Sequence, residues 1–378
     1  MQIRDIEVYV FQLDNDTFEA IGQVNEFTSL IWPDKFNGYA TFELNAPANE
    51  ENNMLIKKGN VVWCGGDNAA VIEIIQADTT DDGQKVYKVK GRTLEKILTT
   101  RIIWGTYFCT NKPASTVMYE VVDANCVNPS MADRKIPFLE CAPDLVLGKN
   151  VTLQRTGGEV YDLIEGVASD ASLGFRVLFK PSEKRLIFEV LQGVDRTTTA
   201  DANLVVFSTD LEDILASSYY TNDQDVKTVA FVAGEGDGSD RVNEVTGLLG
   251  SSGFSRRELY VDARDLQSEI YNDDGAATQI SQDDYKAMLR DRGSEKLSEC
   301  VVIESFEAKM RVTGDIQYAY GVDYFKGDKV IIQDTDLGVQ IIATVAESTE
   351  SFDDKYSLDI TFGFSYPTLI QKIKRQIS

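Results

Sequence analysis

Apolar and polar residues alternate along much of the first hundred positions. Ile3 to Phe11, Phe18 to Val24, Phe27 to Trp32 and Tyr39 to Leu44 are rich in β-branched and aromatic residues and predict strands. Turn clusters Asp14-Asn15-Asp16 and Asn37-Gly38 separate them. Lys58-Gly59-Asn60 then leads into Val61-Val62-Trp63, and Ala70 to Gln76 and Gln84 to Lys90 follow, joined through Asp81-Asp82-Gly83. Short strands at this spacing predict a small barrel or sandwich.

The period then lengthens. Leu94, Ile97, Leu98 and Ile102 are spaced for one helical face. Pro113 suits a first helical turn ahead of Ala114, Val117, Met118, Val121 and Val122, and Val160, Leu163, Ile164, Val167 and Ala168 repeat the stripe. Strands at Gly174 to Phe179 and Arg185 to Leu191 make residues 110–200 a mixed α+β region. The polar, Thr-rich stretch Asp195 to Asn203 reads as a linker. Strands are expected at Leu204 to Ser208, Val226 to Ala233 and Arg257 to Val261. A long helix is expected from Gln282 to Ser298, with Ser281 and Asp284 making a start like a capping box and Tyr285, Met288, Leu289 and Leu297 along one side. Strands return up to Phe364.

Two stretches resemble each other. The early one reads KKGNVVWCGG, AAVIEIIQAD and DDGQKVYKVKG; the late one reads FKGDKVIIQD, VQIIATVAES and DDKYSLDITFG. Its marks are Gly59, Val61, Tyr87 and Gly91 early, and Gly327, Val330, Tyr356 and Gly363 late. In each, a Lys-Gly-Asn/Asp turn opens a strand, a hairpin returns it, and an acidic turn opens a third strand. Two β-meanders can share turn chemistry by chance; the alternative is two copies of one barrel-like domain. Three chains with two such modules each would present six near-equivalent units round an axis.

The expected fold class is α+β, predominantly β: two related β-barrel-like, tube-forming domains plus an accessory α+β region. The expected boundaries are 1–109, 110–200 and 201–378, the last with a helical insertion around 281–300. A chain of 378 residues supports two or three cores.

Charge and chemistry narrow the function. The net charge is −24, from 61 acidic and 37 basic residues, with no basic block, so tight binding to nucleic acid or anionic lipid is disfavoured. Histidine is absent, which excludes Ser-His-Asp triads, Cys-His dyads and His-based metal sites. Cys64, Cys109, Cys126, Cys141 and Cys300 are odd in number and widely spaced, and read as free thiols of a protein made in a reducing cytoplasm. No apolar run of membrane-spanning length occurs, and the N-terminus alternates like a strand instead of showing a signal pattern. No catalytic residue, cofactor or metal is expected.

The strand KGNVVW followed by AAVIEII, the run KGRTLEKILTTRI, RRELYVDARDL, and YFKGDKVIIQD leading to YSLDITFGFSYPTLIQKIKR resemble the phage baseplate or tail-tip hub proteins, including the structural part of tail-associated lysins. The resemblance implies a homotrimeric ring at the virion tail tip, made in the bacterial host cytoplasm. Its implied partners are a distal tail protein, a tape measure and tip or fibre proteins, with DNA passing through an acidic channel without tight binding and no membrane anchor. The cell-wall hydrolase of such lysins is expected to be missing, because little chain follows Phe364.

Other readings are a carbohydrate- or receptor-binding tail module, served by 16 tyrosines, and a two-carboxylate cell-wall glycosidase. Asp81-Asp82 and Asp273-Asp274 look like turns, as does Asp334-Thr335-Asp336-Leu337-Gly338, which lacks the spacing of a calcium loop. Gly234-Glu235-Gly236-Asp237-Gly238 lacks the Lys of a phosphate loop and reads as a loop. Lys372, Lys374 and Arg375 form a basic tail that is either a solvated end or a docking segment.

Overall fold

The computed structural model describes residues 6–363 apart from 67, 81–82, 199–203, 212–213, 272–276, 312–315 and 354. The basic tail, Asp81-Asp82 and Asp273-Asp274 lie outside the described residues.

The first part of the chain forms β1 (Val8–Leu13), β2 (Phe18–Val24), β3 (Ser29–Lys35), β4 (Thr41–Pro47), α1 (Glu50–Leu55), β5 (Val61–Trp63), β6 (Ala69–Thr79) and β7 (Lys85–Thr93). The strand pattern of the sequence is therefore realised, with α1 as an addition. The Asn49 side chain starts that short helix by accepting from the Asn52 N–H at 2.8 Å. Leu30, Phe42, Leu44, Val62, Ala70, Ile72 and Val89 turn to one side and enclose a core with Leu55 and Ile56.

The middle of the chain forms β8 (Thr106–Pro113), α2 (Ala114–Val122), β9 (Leu139–Cys141), β10 (Asn150–Thr156), α3 (Val160–Asp170), β11 (Gly174–Lys180) and β12 (Arg185–Leu191). Both apolar stripes are buried, with Val117, Met118, Val121, Val160, Ile164 and Ala168 facing Phe175, Val177 and Phe188. Phe11, Phe18 and Trp63 of the first part enter the same core. Phe18 stacks on Phe179 with centroids 5.2 Å apart. The helix expected from Leu94 to Ile102 is a 3-10 helix over Leu94–Thr100. Seven residues with apolar side chains at i, i+3 and i+4 satisfy either winding, and the buried Glu95, which accepts from the Val177 N–H at 3.0 Å, anchors the tighter one.

The last part forms β13 (Val206–Ser208), β14 (Ile214–Asn222), β15 (Val229–Ala233), β16 (Asn243–Gly247), β17 (Glu258–Asp262), β18 (Glu269–Tyr271), β19 (Ala277–Gln279), α4 (Gln282–Ser298), β20 (Ile303–Met310), β21 (Lys329–Asp334), β22 (Val339–Phe352) and β23 (Tyr356–Gly363). The bounds of α4 coincide with the sequence pattern, and Ser281 caps it by accepting from the Asp284 N–H at 3.1 Å. Tyr285, Met288 and Leu289 pack against Val232 and Val261, so β15 to β17 and α4 make a separate small core. Thr152 of β10 donates its N–H to Asp291 of α4 at 2.7 Å, which ties this unit to the α+β region.

One 13-stranded sheet unites the two ends of the chain, in the order β14-β20-β23-β22-β3-β4-β7-β6-β5-β1-β2, with β21 beside β22 and β13 beside β21. The barrel-like plan expected for each end is met only in part: no closed barrel is found among the described residues. Among the described residues the strand order is an open path that ends at β14 and β2, because β3 spends its edge on β22. The protein is predominantly β, with several sheets.

Candidate assembly surface

The two halves of the chain meet within the large sheet at β22. β22 is 14 residues long and changes partner halfway. Its residues 339–344 pair β21, the register shifts at Ala346, and residues 347–352 pair β3 in antiparallel fashion from Glu347↔Lys35 to Phe352↔Leu30. Its other edge pairs β23 throughout residues 345–352.

Side chains fasten this joint. The Phe36 N–H donates to the Ala346 carbonyl at 2.9 Å. Lys35 lies 3.5 Å from Glu347, and Lys326 is ion-paired with Asp34. Asn68 donates to Asp34 at 2.6 Å, and the Ser348 hydroxyl donates to the Tyr320 oxygen at 3.0 Å.

On both sides of the joint the strands follow one plan. The order β3-β4-β7-β6-β5 in one half and β14-β20-β23-β22-β21 in the other is antiparallel at every step. Gly59 and Gly327 open the β5 and β21 strands at φ +89° and +88°. The Gly59 N–H donates to the Ile72 carbonyl and the Ile72 N–H to the Asn60 carbonyl; Gly327, Val345 and Asp328 repeat the arrangement. Each long strand then shifts register at the next residue, between Ile72 and Ile74 and between Val345 and Glu347. The halves differ at their far edge, where β1 is antiparallel to β5 but β13 is parallel to β21.

This register places the sequence marks. Gly59 and Gly327 match. Val330 corresponds to Val62 and not to Val61, which corresponds to Lys329. Gly91 pairs Ile72 and corresponds to Phe362, while Gly363 pairs Ser305. Tyr87 corresponds to Leu358, and Tyr356 sits at the β22–β23 turn opposite Phe352. The acidic turns aligned in sequence are offset because thirteen positions separate Gly59 from Ile72 whereas eighteen separate Gly327 from Val345.

Asn60 and Asp328 are buried polar residues at matching positions. Asn60 donates to the Leu55 carbonyl at 2.8 Å. Asp328 accepts from the Arg196 Nε at 2.5 Å, the Val194 N–H at 2.8 Å and the Phe325 N–H at 3.0 Å, so its burial is compensated. The Lys-Gly-Asn/Asp turn signals the position in sequence; its burial is visible only in the fold.

One face of the joined sheet is polar. Glu307, Thr361, Glu347 and Lys35 lie in one cross-strand row, and Lys309, Asp359 and Thr349 in the next. Burial and then the neighbouring Glu347 and Asp359 raise the Glu307 pKa above the usual carboxylate value. The other half carries Glu43 paired with Lys90 at 2.5 Å and Asp78 with Lys88 at 2.8 Å. Lysines on this face thus stand beside carboxylates.

Chemistry of other kinds finds little support. Among the described residues no group of three or more Cys, Asp or Glu could hold a metal ion. Among the described residues the cysteines form no disulfide, and burial pushes the thiols of Cys64, Cys126 and Cys141 up to about 12. Asp334 accepts from the Leu337 N–H at 2.9 Å and Gly338 has φ +64°, which makes that segment a hairpin turn. No helix among the described residues is long and apolar enough to cross a membrane.

The architecture is that of a phage tail protein. The tail protein from Neisseria meningitidis MC58 superposes with a TM-score of 0.53 at 10% identity, covering 95% of this chain and 97% of that one. The 43 kDa tail protein of prophage MuSo2 from Shewanella oneidensis gives 0.50 at 11% identity, covering 94% and 97%. The chain belongs to the Siphovirus ReqiPepy6 Gp37-like protein family of siphovirus tail proteins, whose model matches residues 6–364. No curated protein matches it.

Proposed function

We propose that this tail protein is a hub subunit of the tail tip, three copies of which close a ring around the passage for DNA. The observation that carries the reading is the pair of five-strand sets with a common order and a common turn, joined edge to edge within one chain. They are two copies of one tube-forming module, and three chains then supply six modules, matching a sixfold tube on one side and a threefold tip on the other. The ring anchors tip or fibre proteins below the tube.

The polar face of the joined sheet lines the passage in this reading. Lys35, Lys88 and Lys90 on it are held by carboxylates, and the chain has a surplus of 24 negative charges, which disfavours adhesion of phosphates. The role is structural, with β15 to β17 and α4 outside the ring.

The test is native mass measurement of the protein coexpressed with its neighbouring tail proteins, followed by imaging down the symmetry axis. A threefold ring with six lobes and an axial hole is expected. A compact single copy with a Tyr- or Trp-lined groove overturns the hub in favour of a receptor-binding module.

A further inference from the structure

Among the described residues the internal joint has a counterpart with no partner strand. By the register above, Glu347 to Phe352 of β22 correspond to Ile74 to Thr79 of β6, and Leu30 to Lys35 of β3 correspond to Ser217 to Asn222 of β14. Within the chain, residues 347–352 pair β3. Among the described residues no strand pairs residues 74–79 on the edge away from β7, and β14 ends the strand order.

Exposure follows the same division. Leu30 and Phe352 at the internal joint are buried, whereas the corresponding Ser217 and Thr79 are exposed. Ile74 is 58% exposed and Leu215 at the start of β14 is 55% exposed.

The composition of the two open edges is not that of strands kept apart. Free edges are normally protected by lysine, proline or inward charges. In a protein with 26% charged residues, β14 (ILASSYYTN) has none, and the segment IIQADT of β6 has only Asp78. Neither contains proline.

We infer that the open edge of β6 in one subunit pairs antiparallel with β14 of a second copy, in the register Ile74↔Asn222 through Asp78↔Ser218 to Thr79↔Ser217. The joint repeats between chains what β22 and β3 do within one, so each subunit offers one edge of each kind. The contact is head-to-tail and closes only through rotation. This inference rests on the ring reading and specifies its interface.

Cysteines test the register. Thr79→Cys and Ser217→Cys are exposed changes, and thermal melts of the single variants should equal that of the wild type. Oxidised rings of the double variant should run as covalent trimers on non-reducing gels. A mixture of the two single variants should stop at covalent dimers, and each single variant alone should stay monomeric there. The displaced pair Thr79→Cys with Ser218→Cys should cross-link at least ten-fold less, because a shift of one residue turns the side chain to the other face. A threefold ring in which Thr79 and Ser217 do not cross-link overturns this interface and leaves the hub intact. Cross-linked open chains without a ring uphold the interface and overturn the hub.

Discussion

At the scale of single residues, the two equivalent turns differ in how much they tolerate. A Cβ on Gly59 would meet nothing within 4 Å, so Gly59→Ala should cost only the backbone strain of positive φ, about 1 kcal/mol. A Cβ on Gly327 would clash with the Phe36 ring at the internal joint, and Gly327→Ala should cost about 3 kcal/mol or more. Denaturant midpoints of the two variants check the difference. Glu95 offers a pH test. Burial raises its folded pKa, so between the ordinary carboxylate value and that raised value the folded protein holds more protons than the unfolded chain. Stability is therefore lost as pH rises through this window. Glu95→Gln keeps an acceptor for Val177 and should flatten the dependence, melting above the wild type at pH 8.

At the scale of elements, α4 was legible in the sequence to its end residues. A capping serine, an acidic first turn and an apolar side are local signals, and each is used. Ser281→Ala should destabilise the unit of β15 to β17 and α4 by about 1 kcal/mol, seen as faster amide exchange in α4. The strands β11 and β12 and the helices α2 and α3 were legible for the same reason. β14 was missed. Its ILASSYYTN run has no alternation that a half-buried strand would impose, since most of it faces away from the core; the absence of charge was the available signal. β8 and β10 were missed because they pair with each other across more than thirty intervening residues.

At the scale of the whole molecule, the fold joins the two ends of a long acidic chain in one continuous sheet with an edge at each end. If the polar face lines the passage, removing its carboxylates frees its lysines. A ring carrying Glu43→Gln, Asp78→Asn and Glu347→Gln should retard duplex DNA on a gel at about 0.15 M salt, where the wild-type ring leaves it unshifted. Equal mobility with both rings would remove that face from the passage.

The amino-acid order alone determined the strand-rich class, the helices with local caps, the likeness of the two ends and the lack of histidine chemistry, because each depends on neighbours in sequence. Tertiary structure alone decided the register between the halves, which puts Gly91 at the position of Phe362 in the common plan, and the open path of the strand order. Both depend on which edge β3 takes. That choice is made by β22, more than three hundred residues away, through backbone groups that every residue carries alike.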